Sequence, residues 1–268
     1  MRGEKRLKEP NSCSIMRKLK RGQLTIFVVI AVAVIFGILM ITAVRSNVNP
    51  VEIFIKPDSV GVKERVESCI VNSTLDSVYF LGLQGGYFYN IPDDTENYGD
   101  LYIPVYLSDS NIVMPSEKTL EYELNLAIKE ILKTCVGKFN ETDSQGYTVT
   151  VGDVKSVKTK INESIYVEVN FPITMTKGTN TKTLASYSKT VDFNFKDKYF
   201  LVEQFVREQQ KDMATIPAGY MADLAKNNNF KIESINTGNG TELYSFIFPE
   251  KHLGMNYSYN FFVRYPNE

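Results

Sequence analysis

The chain has 268 residues, 43% hydrophobic and 23% charged, which excludes a disordered tail and a polytopic transporter. Thirty Lys and Arg against 31 Asp and Glu leave a formal charge of −1, so no nucleic-acid partner is expected. One histidine and three cysteines are too few for zinc fingers, His-rich metal sites or iron–sulfur clusters, and neither a metal nor a cofactor is expected.

The near-neutral total conceals an asymmetry. Residues 1–22 carry eight basic side chains against Glu4 and Glu9, which leaves 22 basic and 29 acidic side chains for the rest of the chain. Next comes Leu24 to Val44, LTIFVVIAVAVIFGILMITAV, 21 residues without a charge. As a helix at about 1.5 Å per residue it spans roughly 32 Å, enough for a bilayer core of about 30 Å. The lipid bilayer is therefore an expected partner through 24–44, with a single-pass anchor over 23–44. Positive residues stay inside, so the amino terminus is expected in the cytoplasm and everything after Val44 outside the cell. A cleaved secretory signal fits poorly, because its apolar core runs to only about 7 to 15 residues.

Lys20-Arg21-Gly22-Gln23, directly before the apolar run, resembles the class III (prepilin-type) signal of archaeal pilins and archaellins. That resemblance implies cleavage between Gly22 and Gln23 by a prepilin-type peptidase, with the apolar helix retained on the mature chain. Thr25 matches the small hydroxyl residue at the third mature position. Phe27 stands where polymerising pilins often carry Glu, which separates processing from filament assembly. More loosely, the layout resembles uncharacterised single-pass archaeal surface proteins, with Cys69, a Gly85-Gly86-Tyr87 turn and Cys135 in the ectodomain.

With this topology Cys13 lies in the leader, while Cys69 and Cys135 lie outside, where disulfides persist. Two cysteines allow one connectivity, and two buried free thiols are the alternative. Five sequons follow the apolar run, at Asn72, Asn140, Asn162, Asn239 and Asn256, none with proline in the middle position. Each is either an N-glycosylation site or an unmodified surface turn.

After a stalk over 45–58 containing Pro50 and Pro57, Ser59 to Leu83 is predicted helical, with Val62, Val66, Cys69 and Ile70 on one face. Gly85-Gly86 forces a turn, Tyr87–Ile91 and Leu101–Leu107 are predicted strands, and Pro92–Asp100 a polar loop. Ser116 is a predicted N-cap. Leu120, Leu124, Ala127, Ile128, Ile131, Leu132 and Cys135 then form an apolar helical stripe that Gly137 is placed to end. Strands are predicted over Tyr147–Val154, around Ile165–Phe171, and where Val191, Phe193 and Phe195 alternate with Asp192 and Asn194. Lys198–Lys211 and Ala218–Lys226 are predicted helices. Phe230–Ile235, Leu243–Phe248 and Tyr257–Tyr265 form a predicted antiparallel set, the first two joined by a turn at 238–240. The fold class expected is α+β, with a helix-rich part over 59–140 and antiparallel strands over 141–268, carried on one amino-terminal transmembrane helix.

Chemistry is sparse. His252 sits between two predicted strands with no nucleophile motif beside it. Asp93, Asp94, Glu96 and Asp100 are calcium-type oxygen ligands, but their spacing does not match a twelve-residue loop. Aromatic residues are dense, and Tyr87 and Tyr89 after the double glycine are candidate binding residues, with core packing as the alternative. The leading expectation is a non-enzymatic, membrane-anchored surface protein whose disulfide-tied ectodomain binds an extracellular protein or glycan. A pilin-like filament subunit and a carboxylate-dependent extracellular hydrolase are the two alternatives.

Overall fold

The computed structural model describes residues 58–136, 148–238 and 240–266, so the leader, the Gly22–Gln23 site, the apolar run, Gly137, Asn140 and Asn239 lie outside the described residues. Helix α1 (Asp58–Leu83) is followed by β1 (Thr95–Tyr98), β2 (Leu101–Ser108) and β3 (Asn111–Ile112), then by α2 (Glu117–Val136). Strands β4 (Thr148–Val151), β5 (Ser156–Ile161), β6 (Ile165–Lys177) and β7 (Asn180–Val191) come next. Helices α3 (Phe195–Lys211) and α4 (Ala218–Asn227) precede β8 (Lys231–Gly238), β9 (Thr241–His252) and β10 (Met255–Arg264).

Helix α1 is the element around which the rest packs. It lies against α2, β7 and β10 at once, so it is buried on more than one face and its amphipathic pattern is weak. Small hydroxyl residues make this burial tolerable. Thr74 donates to the Ile70 carbonyl at 2.7 Å and Ser77 to the Ser73 carbonyl at 2.6 Å, so both buried hydroxyls are satisfied within the helix. At Gly82 the helix backbone comes so near β10 that a Cβ would overlap the Ser258 carbonyl oxygen and the Tyr257 ring. The helix ends where Gly86 donates its N–H to the Leu81 carbonyl at 2.7 Å, with Gly85 at φ +57°. That is a left-handed C-terminal cap, which glycine adopts at least cost.

One sheet runs β1-β2-β10-β9-β8, with β3 also on β2. Its centre is aromatic. Tyr106, Tyr244, Tyr257, Tyr259, Phe246 and Phe261 are fully buried, and Phe205 of α3 packs on Tyr244, Phe246 and Phe261 at centroid distances of 4.8 to 5.9 Å. Each such ring contributes on the order of 1.5–3 kcal/mol of burial. The opposite face of this sheet carries a small separate cluster of Ile103, Val105, Leu243 and Phe262. The other sheet has β6 at its centre. β7 lies along one edge, while β5 and β4 share the other edge, pairing with Ile165–Asn170 and Ile173–Thr176.

The expected fold class is corrected here. The β10–β2 pairing is parallel, with Phe262 opposite Val105 and Val263 opposite Leu107, so the sheet is mixed and not antiparallel throughout. Strands β1–β3 from the supposed helical part belong to the carboxy-terminal sheet, and α3 and α4 lie inside the supposed strand part. No helix among the described residues is long and apolar enough to cross a membrane.

Two local expectations are also replaced. Residues 87–91 form no strand, because the backbone N–H groups of Phe88, Tyr89 and Asn90 donate to a Glu123 carboxylate oxygen at 2.9, 2.8 and 3.3 Å. The alternation around Phe193 and Phe195 is not a strand either. Both rings are buried, but Asn194 between them is the N-cap of α3, accepting from the Asp197 N–H at 3.1 Å.

Candidate binding groove

Between the β3–α2 connection and α3 lies a groove of about 350 Å³, within the range of ligand sites. Its position follows from two helix starts. Ser116 caps α2, its Oγ accepting from the Thr119 N–H at 3.2 Å, and Asn194 caps α3. The first turns of both helices come together in its lining with Ile112, Met114 and Pro115, Lys196 of α3 lying 3.7 Å from Glu117 of α2. Tyr199 fixes the wall by donating its hydroxyl to the Pro115 carbonyl at 2.5 Å. Burial raises the Tyr199 pKa far above its ordinary value, and the Glu203 charge adds to this, so the hydroxyl stays a donor at all physiological pH.

The buried part of its lining is apolar, formed by Leu120, Ile161 and Phe195, and Phe200 also lines it with 54% of its surface exposed. The rim is charged but internally paired. Arg207 donates to Glu203 Oε1 from Nε at 3.0 Å and from Nη2 at 2.6 Å, and Lys196 lies 3.7 Å from Glu117. A floor with one exposed ring and a rim of neutralised donors and acceptors suits a neutral amphipathic ligand. The acids on this rim face cations, not one another, so the groove lends the hydrolase alternative no support. Periodicity placed Phe195 in a strand, and the exposed ring of Phe200 carried no signal that set it apart from other aromatics.

The residues singled out from sequence are scattered. Tyr87 is buried in the core, while Tyr89 is 62% exposed on the loop that Glu123 holds. Cys69 and Cys135 are joined, Cα to Cα 5.8 Å, tying α1 to α2. They line an open recess of about 530 Å³ with Asn72, Asp76 and His252. There His252 Nε2 lies 2.6 Å from Asp76 Oδ1, and its ring tilts against Tyr79 at a centroid distance of 5.4 Å. This pair fastens the β9–β10 hairpin to α1. The stretch predicted as a polar loop over 92–100 contains strand β1, and its acids are held by Arg264, which bonds Asp94 at 2.8 and 3.2 Å and Glu96 of β1 at 2.9 Å. Of the sequons, Asn72, Asn162 and Asn256 are exposed, the first on α1, the second in the β5–β6 turn and the third on β10. Compared with protein-family models, with curated proteins and with solved structures, the chain matches none.

Proposed function

We propose that the chain is a surface protein held at the cell membrane through residues 24–44, with the residues from 58 onward displayed outside the cell as a binding or scaffolding ectodomain. The observation that carries this reading is the Cys69–Cys135 bridge, because a structural disulfide belongs to an oxidising compartment. The uncharged 21-residue run and the basic residues before it supply the anchor and its direction. The groove between α2 and α3 is a surface suited to a neutral amphipathic group, since it combines an apolar floor with an exposed aromatic ring. Catalysis and a bound cofactor form no part of this reading.

The test is surface labelling of intact cells with a membrane-impermeant amine reagent. Lys63 and Lys133, both well exposed, are expected to react before lysis. Labelling of these lysines only after lysis would overturn the reading. Separately, the mass of the amino-terminal peptide distinguishes a chain that begins at Gln23, as the prepilin-type resemblance implies, from one that begins at Met1.

A further inference from the structure

We infer that Asn162 carries an N-linked glycan and that the first sugars of this glycan lie in the groove beneath it. The inference rests on the proposed extracellular placement and names what occupies the groove. Asn162 follows Ile161, whose side chain forms part of the groove floor. Asn162, Glu163 and Ser164 also line a shallow recess of about 530 Å³ with Lys196 and Asp197, and Lys196 belongs to the groove as well. The two depressions share that lysine in their linings.

The choice of sequon follows from accessibility. Asn162-Glu163-Ser164 forms the turn between β5 and β6, where the Asn162 N–H donates to the Ser164 carbonyl at 3.1 Å and no side chain of the three is buried. In the sequon at Asn72, Ser73 and Thr74 are buried in α1, and in the sequon at Asn256 Tyr257 is fully buried. Only the turn presents its whole tripeptide among the described sequons.

The choice of occupant follows from chemistry. A pyranose ring has an apolar C–H face and an equatorial rim of hydroxyls that donate and accept. The exposed Phe200 ring offers the matching apolar plane, while Glu117 and Glu203 accept and Lys196 and Arg207 donate around it. Because both rim pairs are already neutralised, the site calls for no net charge on its ligand. Attachment forms one C–N bond, between Asn162 Nδ2 and the anomeric carbon of a sugar carried on a lipid phosphate or diphosphate. The anomeric C–O bond to that phosphate breaks, the amide gives up one proton to the departing phosphate, and nothing is oxidised or reduced.

The experiment uses the full chain recovered from its native membranes. Mass mapping is expected to show the peptide containing Asn162 heavier by a glycan. A native-mass peptide would overturn the inference while leaving surface labelling of Lys63 and Lys133 intact, so the two readings fail separately. For seating in the groove, Asn162→Gln and Ser164→Ala are expected to lower the thermal midpoint equally, by about 2–4 °C, since either abolishes the sequon. Phe200→Ala is expected to give a similar loss that vanishes when combined with Asn162→Gln, and to have no effect on unglycosylated chain. Additive losses, or an equal effect of Phe200→Ala with and without the glycan, would place the sugars in solvent and assign the groove to some other ligand.

Discussion

The Tyr89 backbone N–H donates to Glu123 Oε2 over 2.8 Å, so the exposed aromatic loop after α1 is held by a carboxylate that is itself fully buried on α2. The same carboxylate accepts from Phe88 and Asn90, and the Asn90 side-chain amide adds a fourth bond at 2.5 Å to Oε1. A buried acid that receives this many donors is well compensated, and each donor depends on it in turn.

Replacing Glu123 by Ala removes all four acceptor contacts at once. The expected loss is about 2–4 kcal/mol in urea unfolding, with faster proteolysis around Tyr89. Glu123→Gln keeps the shape and one acceptor oxygen, so its loss should be smaller. Equal stability of Glu123→Ala and the parent chain would show the loop to be held by other means.

Reduction of the Cys69–Cys135 bridge releases a loop with a sequence separation of 66 residues. The chain-entropy contribution of such a closure is about 4 kcal/mol. The denaturation midpoint should therefore fall on adding dithiothreitol, and the Cys69→Ser, Cys135→Ser double variant should match the reduced protein and ignore the reagent.

Lys189 of β7 bonds Glu67 of α1 at 2.7 Å and, as the largest influence, holds the Glu67 carboxyl below its usual value of 4.5. A depressed folded pKa means that the pair contributes above the unfolded pKa and that this contribution is lost as pH falls through the lower folded one. Stability should decline below about pH 4.5 more steeply in the parent chain than in Glu67→Gln. Parallel curves for the two proteins would remove the pair from the acid response. At the alkaline end burial pushes Tyr187 up to about 12, so its contribution is present below pH 10 and fades as pH rises toward that value.

Two glycines of α1 should respond in opposite directions to the same substitution. At Gly61 an added Cβ meets nothing within 4 Å, and Gly61→Ala is expected to stabilise by about 0.5–1 kcal/mol. At Gly82 the added methyl runs into the β10 backbone and the Tyr257 ring, and Gly82→Ala is expected to cost about 1–3 kcal/mol or more. Thermal melts of the two variants would check both signs. A neutral Gly82→Ala would mean that α1 and β10 can part without loss.

Elements whose signals are local follow from the order of residues alone. The 3.6-residue stripe of α2 with its Ser116 cap, the Glu203–Arg207 pair on α3 and the alternation of β6 are all readable without a fold, because each depends on neighbours within one or two turns. The cysteines could be placed on the apolar faces of two helices for the same reason. Tertiary structure alone decided the rest. Parallel pairing of β2 with β10 joins distant segments, and the buried run Ile103–Leu107 that it requires looks the same in sequence as any apolar stretch. Glu123 turned a predicted strand into a carboxylate-bound loop, since its acceptor oxygens arrive from another helix. The groove exists only because the capped starts of α2 and α3 converge, a relationship set by packing that no window of sequence encodes.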